Sequence, residues 1–154
     1  MVGLDRLRVS PTAQGDGVGA VRIPRAVLAE MLAHVEAGYP DEACGVLGGA
    51  DGAVTAHFPA VNASTTPRTF SEIGPHELLR IWNTIDMHDW QALAYYHSHP
   101  ETPAYPSPRD VQWSRGWPGT FYIIFSLADP LAPVVRAFLI EGDAVREYRL
   151  QIEP

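Results

Sequence analysis

The chain contains no lysine: its 11 basic residues are all arginine, set against 18 acidic ones for a net charge of −7. Without a basic tract, an acidic chain is a poor match for nucleic acid or an anionic membrane surface, and neither is expected as a partner. Cysteine is almost absent too. The single Cys44 excludes an intramolecular disulfide and any zinc knuckle built from several thiolates. No stretch approaches the ~20 consecutive apolar residues of a membrane-spanning helix. The first ten residues include Asp5, Arg6 and Arg8 and lack the apolar run of a secretion signal, so a cytoplasmic location is expected.

What is present is a globular composition. At 46% apolar and 19% charged, the chain is too apolar and too weakly charged for disorder. Its length suits one domain, taken as residues 1–154 with the core from about 20 to 152. Residues 18–23 read as a first strand. Val27, Leu28, Met31, Leu32 and Val35 then recur at helical period after Pro24, and Gly38 and Pro40 end that helix. Strands are predicted over 44–49 and 53–61, joined by a tight Asp51-Gly52 hairpin turn. A helix follows over 76–89 with Leu78, Leu79, Trp82 and Ile85 on one side, then a strand over 92–97. A helix of two to three turns begins at Pro108, and strands over 120–127, 134–140 and 144–152 close the chain. Strands and helices interleave without a strict βαβ rhythm, which favours an α/β fold with a mixed sheet and flanking helices.

The chemistry is concentrated in residues 96–111, YHSHPETPAYPSPRDV. His97 and His99 lie two apart at a strand end, so both imidazoles project from one face of the sheet. Two neutral imidazoles side by side can bind a divalent metal, most commonly zinc. A catalytic zinc needs a third protein ligand and an open position for water. Asp110, eleven residues after His99, is placed to supply it, with Ser107 three residues earlier. Taken alone, His-x-His at a strand end more often marks two exposed loop residues. Ser107-Pro108-Arg109-Asp110 is also a helix start, with a serine N-cap and an aspartate completing a capping box. A capped helix start is a rigid mount for a ligand, so the two readings coexist.

The joint pattern is more informative. His-x-His-Pro, six residues, Ser, two residues and Asp would arise by chance in on the order of one chain in 10⁵. It resembles, at every fixed position, the signature of the JAMM (JAB1/MPN+) zinc metallopeptidases. The family's upstream glutamate is matched by Glu42 in DEACGVLGG, residues 41–49. The resemblance covers about 21–152 and is similar to the small bacterial Mec-type branch, which acts on ubiquitin-like sulfur-carrier proteins. Residues 62–70 (NASTTPRTF), 79–82 (LRIW) and 105–107 (YPS) carry that likeness. The chain departs from the branch at Thr66, where a serine is usual, at Arg68 directly after Pro67, and at Ile73-Gly74 in place of an acidic residue.

The resemblance implies a JAB1/MPN-like, cytidine-deaminase-like single domain with a curved mixed sheet. It implies one Zn²⁺ per chain on His97, His99 and Asp110, with Glu42 as general base and Ser107 steadying the oxyanion. Arg68 and Phe70 are expected to contact substrate. The implied substrate is a peptide or isopeptide bond after the Gly-Gly tail of a ubiquitin-like sulfur carrier, with release of C-terminal cysteine for cysteine biosynthesis. A homodimer is left open. Two other readings stand beside this one: a hydrolase built on Cys44 with a histidine, and a non-catalytic MPN-type scaffold. His34, His57, His76 and His88 have no partner spacing and read as surface or capping residues.

Overall fold

The computed structural model describes residues 3–10 and 21–154. Its elements are β1 (Arg8–Val9), β2 (Val21–Pro24), α1 (Arg25–Gly38), β3 (Cys44–Ala50), β4 (Ala53–Ala60), α2 (Pro75–Met87) and β5 (Gln91–His99). They continue with α3 (Pro108–Trp113), β6 (Phe121–Ser126), β7 (Val134–Glu141), β8 (Ala144–Tyr148) and β9 (Leu150–Glu153). Residues 18–20 of the expected first strand lie outside the described residues.

Successive side chains of a strand point to opposite faces, so Tyr95 and Tyr96 on β5 aim in opposite directions. Both are fully buried, which means that the sheet is covered on both sides. Tyr96 packs with Leu28, Met31, Leu32 and Val35 of α1 on one face. Tyr95 packs with Ile81 and Ile85 of α2 and with Trp117 on the other. Gly45 is required on β3, because a Cβ there would stand 2.5 Å from the Tyr96 ring.

The strands form one mixed sheet in the order β1-β7-β6-β5-β3-β4-β2-β9, with β8 also on β7. The pair β5–β6 is parallel, whereas β3–β4, β3–β5 and β6–β7 are antiparallel. The β3–β4 hairpin turns through Asp51 and Gly52, both at positive φ (54° and 75°), as an Asp-Gly turn of this kind requires.

Several expectations shift. The predicted last strand breaks at Arg149: β8 stays on β7, while β9 crosses to pair in parallel with β2 at the other end of the sheet. The continuous segment joining those two ends curls the sheet around α1. On α2 the buried face includes Ile81, and Leu79 is exposed, because 78, 81, 82 and 85 is the spacing that stays on one side of a helix. The α3 helix spans only six residues before a 3₁₀ turn at Ser114–Gly116. His57 is mostly covered, held between Glu30 (3.1 Å) and the Tyr96 hydroxyl (2.7 Å). Among the described residues, no helix is long and apolar enough to cross a membrane.

Candidate metal centre

The β3–β5 register assembles the site. Cys44 lies opposite His97, and pairing continues one step beyond, where the Ser98 N–H donates to the Ala43 carbonyl at 3.0 Å. The Ala43 N–H returns a bond to the Ser98 hydroxyl at 2.9 Å. Glu42, two residues before Cys44, therefore shares the face that carries His97 and His99. The chain then leaves β5 through the proline-rich loop and returns at α3, which brings Asp110 over the same face.

His97 Nε2 and His99 Nε2 stand 3.1 Å apart, and Asp110 Oδ2 is 3.2 Å from the first and 3.1 Å from the second. All three residues are buried. Donors bound to zinc at ~2.0–2.1 Å and at tetrahedral angles lie about 3.3 Å from one another. The triangle thus has the size of one face of a zinc coordination tetrahedron. A second grouping shares the histidines: ligand atoms of Glu42, His97 and His99 all lie within 4.8 Å of one another.

The hydrogen bonds call for a proton or a metal ion among the donors of this triangle. The Nδ1–H of His99 donates to the Pro103 carbonyl at 2.8 Å, an acceptor-only partner. In the neutral ring this leaves a lone pair on Nε2, facing the Asp110 carboxylate. Two lone pairs at that distance repel unless a proton or metal ion lies between them. The same second-sphere carbonyl is what a metal-bound histidine ordinarily uses to fix its tautomer.

The two carboxylates differ in charge state. Burial works against a charge on Asp110, but the two histidines and the Ser107 N–H outweigh it and hold its pKa far below the ordinary carboxylate range. Glu42 is pushed up to about 8, chiefly by burial and further by the Asp110 charge, against the influence of His99, Ser71 and Arg109. Among the described residues, its Oε1 has no hydrogen-bond partner. An ionised, multiply bonded aspartate beside the histidines is a good ligand. A buried glutamate that readily holds a proton is a good acid or base. Burial opposes charge on His99 too, yet the bond to Asp110 and the Pro103 carbonyl raise its pKa overall.

Ser107 caps α3. Its hydroxyl accepts from the Asp110 N–H at 3.1 Å, and its own N–H donates to Asp110 Oδ2 at 2.9 Å, a capping box. Since the hydroxyl oxygen accepts from the helix, its hydrogen remains available to another group. Asp110 Oδ2 is thus shared between the helix cap and the donor triangle.

Sequence reasoning missed the supports of Glu42. The Tyr95 hydroxyl and Ser71 Oγ are 2.8 Å apart in the interior, and Ser71 tempers the rise in the Glu42 pKa. Nothing in the spacing of Ser71 and Tyr95 signals this contact. The loop over the site is organised by Asn62, whose Nδ2 donates to the carbonyls of Glu42 (2.9 Å) and Phe70 (3.0 Å). Its Oδ1 accepts from the Ser64 N–H at 3.0 Å. The Glu42 N–H donates to the Pro67 carbonyl at 2.8 Å. Arg68 is exposed on this loop, whereas Phe70, expected beside it at the substrate face, is turned inward and only 7% exposed. The Arg109 guanidinium covers the Phe70 ring, 4.0 Å from its centroid. Cys44 is fully buried, and burial pushes its thiol up to about 12, which removes it as a nucleophile at neutral pH.

Residues 24–140 match the family model for prokaryotic homologs of the JAB domain. The chain belongs to that family. It is a JAMM-type metallopeptidase, with a candidate metal site that includes His97, His99 and Glu42. Among JAB relatives, the CysO-cysteine peptidase of Mycobacterium tuberculosis is 37% identical over 124 residues, covering 79% of this chain and 84% of that one. The desampylase of Haloferax volcanii is 35% identical over 129 residues, covering 80% and 89%. The crystal structure of a JAB1/MPN domain protein from Archaeoglobus fulgidus matches with a TM-score of 0.58 over 87% of this chain and 98% of that one. At 18% identity that likeness concerns the JAB1/MPN fold alone.

Proposed function

We propose that this JAMM-type enzyme is a zinc peptidase that cuts the amide bond after the Gly-Gly tail of a ubiquitin-like sulfur-carrier protein. It releases the residue beyond the tail, in the first instance a cysteine destined for cysteine biosynthesis. The observation that carries the reading is the buried His97–His99–Asp110 triangle beside a proton-holding Glu42, in a chain related to a peptidase named for CysO-cysteine.

His97, His99 and Asp110 would hold the ion. Zinc bound there supplies a Lewis acid that acidifies water and polarises the scissile carbonyl. Glu42 takes the proton of the attacking water and hands it to the leaving nitrogen. With the ion held alongside, the raised pKa of Glu42 would fall back toward working pH. The Ser107 hydroxyl donates to the oxygen on which negative charge develops. Glycines at the end of the tail let the carbonyl approach a buried centre without side chains in the way. Arg68, exposed above Glu42, contacts the tail, and Phe70 contributes from beneath by supporting Arg109.

The test is to mix the metal-loaded protein with a Gly-Gly-tailed carrier bearing a C-terminal cysteine and to follow the carrier's mass with and without a chelator. Chelator-sensitive loss of one cysteine residue is expected. An unchanged mass in a sample that contains one zinc per chain would sink the reading.

A further inference from the structure

Arg109 is fixed in place without an ion-pair partner. Its guanidinium lies over Phe70 and donates to the Thr66 hydroxyl at 3.1 Å, yet among the described residues no carboxylate pairs with it. Arg6, Arg115 and Arg136, by contrast, each meet a carboxylate at 3.0–3.1 Å. A guanidinium held by a ring face and a neutral hydroxyl keeps both its positive charge and spare donors for an anion. The planar fork of arginine matches a carboxylate in particular. Arg68 is exposed on the same loop, and among the described residues no ring or hydroxyl anchors it in this way.

The position of Arg109 indicates whose carboxylate it meets. In the reading above, Glu42 returns a proton to the leaving nitrogen, so that nitrogen must come within hydrogen-bond reach of Glu42. Arg109 stands on the same side: it donates to Thr66 and covers Phe70, and the loop bearing both is bonded to the Glu42 backbone through Pro67 and Asn62. When the leaving group is a C-terminal amino acid, a carboxylate is one carbon from the leaving nitrogen. When it is a lysine side chain, that nitrogen ends a hydrocarbon stem with no carboxylate next to it.

We infer that Arg109 reads the free α-carboxylate of the residue released, which directs this enzyme to single C-terminal amino acids rather than lysine-linked conjugates. The inference rests on the carrier-peptidase reading and deepens it. The test compares three substrates on metal-loaded protein: a carrier ending in Gly-Gly-Cys as the free acid, the same carrier as the C-terminal amide, and the carrier joined through Gly-Gly to a lysine side chain. A charge-assisted contact of this kind is worth roughly tenfold to a hundredfold. The free acid is therefore expected to exceed the other two by at least about tenfold in kcat/KM, mostly through KM. R109A should collapse the acid-to-amide ratio toward one, and R109K should retain part of it. Because the ratio is taken within each protein, a general loss of activity does not disturb it. Equal cleavage of acid and amide by the unaltered enzyme, or a preference that survives R109A, overturns the inference and leaves the peptidase reading standing. Cleavage of none of the three overturns both.

Discussion

Cys44 lies directly opposite His97 in the antiparallel β3–β5 ladder. The thiol is therefore close to the chemistry by register alone, and proximity could be mistaken for participation. Buried and pushed up to about 12, it stays protonated at neutral pH. C44A should keep its zinc and its chelator-sensitive cleavage, and iodoacetamide should neither label nor inactivate the folded native enzyme. Stoichiometric labelling with loss of activity would restore the thiol to the mechanism.

Glu42 should leave a signature in the metal-free protein. Its folded pKa of about 8 exceeds the ordinary 4.5, so between those values the folded state holds a proton that the unfolded chain has released. The stability this contributes is complete below about pH 4.5 and is lost as pH rises through 8. E42Q keeps the neutral shape at every pH. In excess chelator it should melt at a higher temperature than the unaltered protein at pH 8, with the gap closing toward pH 5. Loaded with zinc, the same variant should retain the ion and fail to cleave. A melting difference that ignores pH would rule out the raised pKa.

D110N changes one oxygen to nitrogen and keeps the shape of the helix start. Loss of an outer-sphere partner typically weakens metal affinity by about 10–100-fold, and loss of the carboxylate itself should exceed that. Competition with a zinc-binding dye gives the affinity directly. Affinity that matches the unaltered protein would remove Asp110 from the ligand set.

Ser107 has two roles that substitutions can separate. Alanine removes both the cap and the hydroxyl, and cap loss costs about 1 kcal/mol, whereas glycine at an N-cap costs only a few tenths. S107A and S107G should therefore differ in thermal stability. Both should fall by a similar ~10²–10³ in kcat if the hydroxyl donates to the oxyanion. Activity that followed stability would assign Ser107 to the cap alone.

Much of the fold was legible because local chemistry and final structure agree. The α1 face at Leu28, Met31, Leu32 and Val35 is buried as its period predicts, and Asp51-Gly52 adopts the turn its dipeptide favours. What escaped depends on contacts between elements distant in sequence. Phe70 looks available until α3 lays Arg109 across it. The polar–apolar alternation of residues 147–152 runs straight through Arg149, so nothing local announces that the strand changes neighbours there. Ser71 and Tyr95 meet only because the loop folds back on the sheet.

Arg109 sits inside the single turn that Ser107 and Asp110 clasp from either side. Whatever recognises the departing residue is thus indexed to the hydrolytic centre by one residue of helix, with no hinge or independent loop between them. Selectivity and turnover in this enzyme are mechanically one part. Insertions or substitutions that slide the start of α3 should move both together, so a change of leaving-group preference would come from exchanging the side chain at 109, not from remodelling the backbone around it.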